Sequence, residues 1–500
     1  MYFSTRGQGD GLTAAQAIAQ GIAPDGGLFV PEVIPCVDDA FLLGLQPLSY
    51  QERAAAILHL FLTDYTVDEL KSCVAGAYGD GKFSSPAVAP IVKVKDNLFA
   101  LELWHGPTSA FKDMALQLLP RLLSCALKKN DEQAQIVILV ATSGDTGKAA
   151  LEGFKDVEQT QVMVFYPEEG VSQIQRLQMV TQEGTNLKVF AVKGNFDDAQ
   201  TGVKRIFNDT DFNAELADKG FKLSSANSIN WGRLVPQIVY YFSAYADLVQ
   251  QQQIKQGDKV NFVVPTGNFG NILAGYYAKQ MGLPINKLIC ASNSNNVLTD
   301  FLTTGVYSRK RQFYKTYSPS MDILISSNLE RLLYHVTNKD ACQVSKWMAE
   351  LNEAGEYNIG ETYLAAIKEV FPSGWVDDAE TAATIGRVHK EYGYALDPHT
   401  AVAWQVAEAY RRQSGDATPN IIVSTASPFK FNETVLAALA GADSLKTETE
   451  FAALSQLADM INRPIPPALA ELEHKPIRHT VVCSKQDMPK VVKATLHITE

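Results

Sequence analysis

One lysine stands out because of the residues that precede it and the helix that it begins. In HGPTSAFKDMALQLLP (105–120), small, polar and aromatic residues lead to Phe111 and Lys112. The apolar periodicity that follows predicts a core-packed helix with Lys112 in its first turn. A cation there opposes the helix dipole, which lowers the pKa of the amine unless Asp113 offsets the effect. Such an amine suits Schiff-base chemistry with an aldehyde cofactor, although a helix-start lysine that reaches solvent is commoner.

A glycine-rich turn follows an apolar strand in the middle of the chain. After VNFVV comes PTGNFGN, which contains Gly267, Asn268, Phe269, Gly270 and Asn271, and a helical pattern then begins. Successive backbone N–H groups at the positive end of a helix form an anion site, most naturally for a phosphate. A plain strand-to-helix turn fits these residues equally well. The turn has neither the GxGxxG pattern nor the GK[ST] ending of a P-loop.

A second turn of this kind offers hydroxyl groups as well as backbone N–H groups. Ser143, Gly144, Asp145 and Thr146 follow the strand QIVILV. Hydroxyl and N–H donors in a tight loop suit a carboxylate by the same argument, and an N-capped helix without a ligand is a strong alternative. The Walker A pattern fails here, because its first glycine falls on a threonine and its last Ser/Thr on an alanine.

The elements that must position these residues alternate along the chain. Short β-branched runs alternate with helical periods, which predicts an α/β fold built on parallel sheets. We expect an N-terminal helical module over 1–95 and a first α/β domain with the lysine over 96–240. A second α/β domain with PTGNFGN is expected over 241–440, and a C-terminal extension over 441–500.

The composition limits the classes of partner. A chain of 500 residues with 46% hydrophobic and 20% charged residues is typical of a globular protein with two or three domains. A net charge of -11 argues against a nucleic acid or an anionic membrane. The residues MYFSTRGQGD include no apolar stretch and no later run approaches membrane-spanning length, so we expect neither a secretory leader nor a membrane span. Six scattered cysteines without metal-ligand spacing predict reduced thiols, a cytoplasmic protein and no metal site.

A lysine nucleophile, a phosphate turn and a carboxylate turn together indicate pyridoxal phosphate and an amino acid substrate. On these residues the sequence resembles the threonine synthase family, within the fold-type II pyridoxal-phosphate enzymes. The matching segments, in order and spacing, are STRG (4–7), APDGGLFVPE (23–32), HGPTSAFKD (105–113), SGDTG (143–147), GNFDDAQ (194–200), NSINWGRLVPQIVYYF (227–242), PTGNFGN (265–271) and SPSMDILISSNLERL (318–332). The resemblance implies a tryptophan synthase beta-like fold, in which two parallel-sheet domains interleave along the chain.

The resemblance also implies how the cofactor, pyridoxal 5′-phosphate, is held. Lys112 would carry it as a Schiff base, with Phe111 beside it. Residues 267–271 would hold its phosphate, and Asp145 would lie near its phenolic oxygen. Thr425 would be the hydroxyl partner of the pyridine nitrogen.

Substrate contacts are implied in the same way. The residues expected to face the substrate carboxylate are Ser143, Gly144, Asp145 and Thr146. Arg233 and Asn230 are the candidates for the substrate phosphate, and a structural ion pair is an equally good explanation of Arg233. Lys148 and Lys430 are weaker candidates for binding the substrate phosphate. His105 is expected to shape the Gly-Pro turn that follows it without touching the substrate.

One segment departs from the family pattern. The family usually reads STAHPAKF where this chain reads STASPFKF (424–431). Ser427 therefore stands where the family usually has histidine, and Phe429 stands where it usually has alanine, in the same segment as Thr425.

The implied reaction converts O-phospho-L-homoserine and water to L-threonine and phosphate, the last step of threonine biosynthesis, in a monomer or homodimer. A serine or threonine dehydratase-like lyase is the alternative enzyme, but the N-terminal module and NSINWGR argue against it. A non-catalytic binder of phosphorylated ligands is a second alternative, which an intact Lys112 disfavours. A nucleotide-dependent phosphotransferase is excluded by the missing GK[ST] ending.

Overall fold

The strands that the structure describes form two larger sheets and two short pairs. The computed structural model describes residues 1–79, 81–142, 144–169, 171–441 and 449–498. The strands are β1 (Tyr2–Ser4), β2 (Phe29–Pro31), β3 (Ile91–Lys95), β4 (Leu98–Glu102), β5 (Gln135–Ala141), β6 (Thr160–Pro167), β7 (Leu187–Val192), β8 (Phe221–Ser224), β9 (Val260–Pro265), β10 (Ile285–Ser292), β11 (Val306–Ser308), β12 (Glu356–Asn358), β13 (Ser373–Trp375), β14 (Asn420–Ser424) and β15 (Val481–Cys483).

Helices occupy most of the remaining chain. They are α1 (Ala14–Gln20), α2 (Asp39–Leu45), α3 (Tyr50–Phe61), α4 (Val67–Tyr78), α5 (Lys112–Leu116), α6 (Leu119–Lys129), α7 (Asp145–Phe154), α8 (Gln173–Val180), α9 (Phe196–Asn208), α10 (Thr210–Asp218), α11 (Trp231–Gln250), α12 (Gly270–Gln280), α13 (Val297–Thr304), α14 (Leu329–Val336), α15 (Ala341–Glu353), α16 (Gly360–Val370), α17 (Asp378–Tyr392), α18 (Pro398–Ser414), α19 (Asn432–Ala440), α20 (Glu450–Ile461), α21 (Pro467–Ala470) and α22 (Met488–Thr495). Short 3-10 helices cover Pro319–Met321, Pro428–Phe431 and Leu472–His474.

The two larger sheets confirm the predicted α/β class. One has the order β13-β10-β9-β14-β4-β3 and is parallel except for the β3–β4 pair. The other, β15-β7-β6-β5-β8, is parallel throughout. Helices α1 to α4 form the predicted N-terminal helical module.

The sheets do not follow the predicted domain boundaries. The first sheet includes β3 and β4, which lie before the boundary at 240, and the second includes β15 from the C-terminal extension. Sheet neighbours are set by packing of apolar faces, and local sequence patterns do not record which distant strands pair. The two sheets therefore interleave along the chain.

Strand order brings the predicted motifs to one edge. Strand β14 lies between β4 and β9 and runs parallel to both. Their carboxyl ends lead to the Lys112 segment, to PTGNFGN and to Thr425. Parallel strands place such ends together, and this edge is where α/β sheets bind ligands.

The helix that begins at Lys112 is shorter than its apolar pattern. Lys112 is the first residue of α5, as predicted, but α5 ends at Leu116 and α6 begins at Leu119. Pro120 has no N–H group for a continuous helix and stands in the first turn of α6, where none is needed. A Cβ on Gly153 of α7 would overlap the carbonyl oxygen of Leu116, so α7 approaches α5 closely.

The contact at Gly153 gives a test of this packing. Gly153→Ala should lower the free energy of unfolding by about 1–3 kcal/mol, because the added methyl group pushes α7 away from α5. Gly44→Ala is the matched control, since a Cβ there meets no atom within 4 Å. That change in helix α2 should raise the free energy of unfolding by about 0.5–1 kcal/mol. Urea denaturation measures both, and an unchanged stability of Gly153→Ala would contradict the close approach.

Candidate active site

Lys112 turns its amine toward residues from the other sheet and from a distant loop. Its side chain is 11% exposed. The Nζ donates to Ser320 Oγ at 3.1 Å and lies 3.7 Å from Asp145 Oδ2. The ring centre of Phe111 is 5.1 Å from the Nζ, within the range of a cation–π contact.

The pKa of the Lys112 amine is lowered to about 8. Burial is the largest cause, because desolvation penalises the charged amine. The positive charges of Lys430 and Arg233 lower this pKa further, whereas Asp145 raises it. The pKa of the Lys112 amine is therefore lowered, as predicted, but the causes are burial and the neighbouring cations. Near neutral pH, more of this amine is uncharged than in an exposed lysine.

Asp145 is a carboxylate between two buried lysines. Its Oδ1 lies 2.9 Å from Lys430 Nζ, and that amine also donates to the carbonyl of Thr108 at 2.9 Å. Burial alone would raise the pKa of Asp145, but the charges of Lys430 and Lys112 outweigh burial and hold it well below its usual range. From the sequence, Lys430 is only a weaker candidate for binding the substrate phosphate. No local signal indicates its pairing with a residue so far away in the chain.

The turn between β5 and α7 keeps donors available for an anion. Gly144 has a φ of 146°, a conformation that favours glycine. The hydroxyl oxygen of Thr142 accepts from the N–H groups of Gly144 and Gly147, both at 3.0 Å. No described residue accepts a hydrogen bond from the backbone N–H groups of Asp145 and Thr146. These two donors at a helix start suit a carboxylate.

PTGNFGN forms the turn from β9 to α12, as predicted. Phe269, just before the helix, has a left-handed φ of 62°. A Cβ on Gly267 would lie 2.9 Å from the Ser320 carbonyl oxygen, so this position requires a residue without a side chain. The backbone N–H of Asn328 donates to the carbonyl of Asn268 at 3.1 Å, which fixes the turn from its outer side.

Gly270 and Asn271 open α12, where the first N–H groups have no intrahelical acceptor. Asn271 Oδ1 accepts hydrogen bonds from Tyr240 at 2.7 Å and Tyr241 at 2.8 Å. Its Nδ2 is buried, and no partner for it occurs among the residues described. An orphaned amide donor beside a helix N-terminus fits a bound phosphate.

Arg233 is a buried cation without a carboxylate partner in the described part of the chain. It is 4% exposed, and burial lowers the pKa of its guanidinium to about 10. One of its terminal nitrogens donates to the carbonyl of Ala226, while its Nε has no partner among those residues. The alternative of a structural ion pair is therefore wrong within the described chain. A buried guanidinium without a carboxylate partner suits an anionic ligand.

Several other predicted residues have hydrogen-bond or ion-pair partners other than Lys112. Asn230 Oδ1 caps α11, and its Nδ2 donates at 3.0 Å to a carbonyl of α1. Lys148 pairs with Glu152 at 3.0 Å, and His105 hydrogen-bonds the buried carboxylate at the end of β4 at 2.8 Å. Ser143 lies outside the described residues.

The end of β14 is joined to the segment that precedes Lys112. The N–H of Phe111 donates to the carbonyl of Thr425 at 2.8 Å, and the N–H of Ser427 donates to Ser109 at 3.0 Å. Thr425 is 5% exposed. The hydroxyl of Ser427 accepts from Phe429 N–H at 3.4 Å, so it caps the short 3-10 helix where the family usually has histidine.

Three residues at the site, Ser320, His399 and Asp397, are not predicted from the sequence to have a role. Ser320 Oγ, which accepts from Lys112, also donates to Asp145 Oδ2 at 3.3 Å. The backbone N–H of Ser320 donates to His399 Nε2 at 3.1 Å, and His399 Nδ1 lies 2.8 Å from Asp397 Oδ1. The order Asp-Pro-His before an apolar helix predicts an N-cap only. A contact with a lysine far away in the chain has no local sequence pattern from which it could be predicted.

Family models cover nearly the whole chain. The model described as "Threonine synthase N terminus" matches residues 1–78, "Pyridoxal-phosphate dependent enzyme" matches 83–369, and "Threonine synthase, C-terminal" matches 400–494. The chain belongs to the threonine synthase family. The resemblance inferred from the sequence motifs is confirmed.

Relatives in the family differ in length. Threonine synthase of Pseudomonas aeruginosa is 40% identical over 87% of this chain and 89% of its own. Threonine synthase of Saccharomyces cerevisiae is 39% identical over 90% of this chain and 91% of its own. Human threonine synthase-like 1 is 43% identical over 85% of this chain, which spans only 58% of that longer protein.

Solved threonine synthase structures have the same fold. The pyridoxal-phosphate-bound threonine synthase of Brucella melitensis gives a TM-score of 0.87 at 39% identity, over 99% of this chain and 98% of that one. Yeast threonine synthase gives 0.88 at 35% identity, with the same coverage. The predicted fold-type II architecture is confirmed.

Pyridoxal 5′-phosphate is the cofactor of this threonine synthase family member. The residues present fit it in two respects. The buried Lys112 amine has a lowered pKa. The Asn271 amide nitrogen, which has no partner within the described ranges, lies at the start of α12, beside the turn that needs glycine at 267.

The electrostatic origin of the Lys112 pKa can be tested through Lys430. In cofactor-free protein, the rate of borohydride-reducible attachment of pyridoxal phosphate should rise with pH to a midpoint near the pKa of about 8. Lys430→Met removes a charge that disfavours the protonated amine and frees Asp145 to favour it. Both effects should raise the midpoint by about one pH unit.

Lys148→Met is the matched control, because it removes a buried lysine that pairs with Glu152 instead. Its midpoint should equal that of wild type, and Lys112→Ala should abolish the reaction. An unchanged midpoint in Lys430→Met would contradict the assigned cause.

Proposed function

We propose that the chain is a pyridoxal-phosphate-dependent carbon–oxygen lyase, threonine synthase. It converts O-phospho-L-homoserine and water to L-threonine and phosphate by γ-elimination and β-addition, the last step of threonine biosynthesis. The observation that carries this proposal is the buried Arg233 guanidinium, which has no counter-ion among the described residues and lies close enough to Lys112 to lower the pKa of its amine. A second anion site beside the cofactor lysine suits a substrate that carries its own phosphate.

The cofactor would be held by residues of both sheets. Lys112 would attach it, with Phe111 beside it, and residues 267–271 would hold its phosphate with N–H groups and the Asn271 amide. Thr425 would supply a neutral hydroxyl to the pyridine nitrogen, and Asp145 would be the carboxylate on the side of the phenolic oxygen. When bound, pyridoxal phosphate supplies an electron sink for negative charge at the substrate carbons.

The substrate would be held at its two anionic ends. The N–H groups of Asp145 and Thr146, with Ser143 and Gly144 of the same turn, bind the α-carboxylate. The planar guanidinium of Arg233 binds the phosphate with donors that match its geometry. Holding both ends fixes the four-carbon chain between them and places its carbons beside the lysine.

Proton transfer falls to Lys112, whose lowered pKa allows it to act as both base and acid. The amine takes protons at Cα and Cβ of the substrate and returns them. The Cγ–O bond breaks with departure of phosphate, the hydroxyl of water adds at Cβ, and the remaining proton of that water ends on the phosphate. The two protons that the amine holds end on Cα and Cγ. Asp145 stays ionised beside the amine and favours its protonated form during each transfer.

Two alternatives remain as outcomes of the test, a dehydratase-like lyase and a non-catalytic binder of phosphorylated ligands. The name threonine synthase-like 1 and the greater length of those relatives make the second alternative worth testing. We also infer a cytoplasmic monomer or homodimer. No helix within the described ranges is long and apolar enough to cross a membrane.

Arg233 variants test the proposed phosphate site. Arg233→Ala should lower kcat/KM for O-phospho-L-homoserine by about 100- to 1,000-fold, because a charged donor to the phosphate is lost. Arg233→Lys keeps the charge but not the fork of donors, and should fall between that variant and wild type. Phosphate release measures turnover, and the cofactor absorbance should remain in both variants.

The same assay separates the alternatives. A dehydratase would form a 2-oxo acid from L-threonine, and a non-catalytic binder would bind O-phospho-L-homoserine without releasing phosphate. Either result with the wild-type protein would contradict the proposed reaction.

A further inference from the structure

We propose that His399, oriented by Asp397, is a positioning residue that holds Ser320 against Lys112 and Asp145. The proposal rests on the proposed function only for its effect on turnover. The contact itself is a property of the fold and can be measured without substrate.

Ser320 is the point where three parts of the site meet. It lies in the 3-10 turn Pro319–Met321. Its hydroxyl accepts from Lys112 Nζ at 3.1 Å and donates to Asp145 Oδ2 at 3.3 Å. Its carbonyl oxygen lies 2.9 Å from the position of a Cβ on Gly267, so the same residue abuts the phosphate turn. A shift of Ser320 would therefore disturb both the amine and that turn.

His399 holds this turn by one defined hydrogen bond. Its Nε2 accepts from the Ser320 backbone N–H at 3.1 Å, and its Nδ1 lies 2.8 Å from Asp397 Oδ1. Because Nε2 must accept, the ring carries its proton on Nδ1 and donates it to the carboxylate. The ring is 2% exposed and its centre lies 4.9 Å from that of Phe431, edge to face. The imidazole is thus fixed in one tautomer and one orientation.

Asp397 is itself fixed at the start of α18. It accepts from the N–H of His399 at 2.9 Å, from the N–H of Thr400 at 3.3 Å and from the Thr400 hydroxyl. The Thr400 hydroxyl lies 3.2 Å from that of Ser424, at the end of β14. These contacts connect the end of strand β14 to Ser320 through Thr400, Asp397 and His399.

The remainder of the turn has a separate anchor. Asn293 donates to the carbonyl of Ser318 at 3.3 Å and to Asp322 Oδ1 at 2.8 Å. These bonds hold the residues on either side of Ser320, whereas the Ser320 N–H is held by His399. The role of His399 is therefore local to Ser320, which allows it to be separated from a general effect on folding.

Two substitutions divide the functions of the ring. His399→Gln places an amide oxygen near the position of Nε2 and preserves an acceptor for Ser320. His399→Asn preserves the contact with Asp397 but has no acceptor that reaches Ser320. Hydrogen–deuterium exchange of the full-length protein, read at the Ser320 amide by mass spectrometry, should be about tenfold faster in His399→Asn and near the wild-type rate in His399→Gln.

Turnover should follow the same order. In His399→Asn, kcat should fall at least about tenfold while KM for O-phospho-L-homoserine changes little, and His399→Gln should recover most of the loss. Wild-type exchange at Ser320 in both variants would overturn the proposal. An equal loss of kcat in both, with equal loss of thermal stability, would also overturn it, because His399 would then act only through folding.

If neither His399 variant folds, Ser320→Ala carries the test. It keeps the backbone N–H bond to His399 but removes the hydroxyl that contacts Lys112 and Asp145. Its kcat should fall about tenfold, whereas hydrogen–deuterium exchange at the amide of residue 320 should stay as slow as in the wild-type protein. A wild-type kcat would overturn the proposal. Should the chain release no phosphate from O-phospho-L-homoserine at all, the exchange rates still decide whether His399 holds Ser320.

Discussion

Among the described residues, three cations are buried at this site, and two of them pair with the carboxylate of Asp145. Lys112 and Lys430 flank it, while Arg233 has no such partner among the described residues. Buried charge is costly unless it is neutralised, so an excess of positive charge has two consequences. The first is that the pKa of the Lys112 amine is lowered, so this amine loses its proton more readily than an exposed lysine does. The remaining positive charge favours anionic ligands.

The fold meets this constraint by bringing distant segments to one edge. Strand β14 lies between β4 and β9, so its carboxyl end joins the lysine segment to the phosphate turn. The glycine at 153 allows α7 to approach α5 closely, and these two helices begin at Asp145 and Lys112. Ser320 then closes the contact from a third segment. Each of these contacts is long-range in sequence.

That difference in range explains what the sequence could predict. Lys112 at a helix start and the two glycine-rich turns are local strand-turn-helix features, and the structure has them where the pattern indicates. The pairing of Lys430 with Asp145 and the contact of His399 with Ser320 depend on which segments pack together. The helix position of Lys112 predicts the direction of its pKa shift, whereas the largest cause, burial, depends on packing. Burial and neighbouring cations become visible only when the segments are assembled.

Isotope tracing tests the proposed reaction most directly. Wild-type protein loaded with pyridoxal phosphate is given O-phospho-L-homoserine in water labelled with oxygen-18, and both products are analysed by mass spectrometry. Cleavage of the Cγ–O bond and addition of water at Cβ predict labelled L-threonine and unlabelled phosphate. Labelled phosphate together with homoserine would show cleavage of the phosphorus–oxygen bond and would contradict the account.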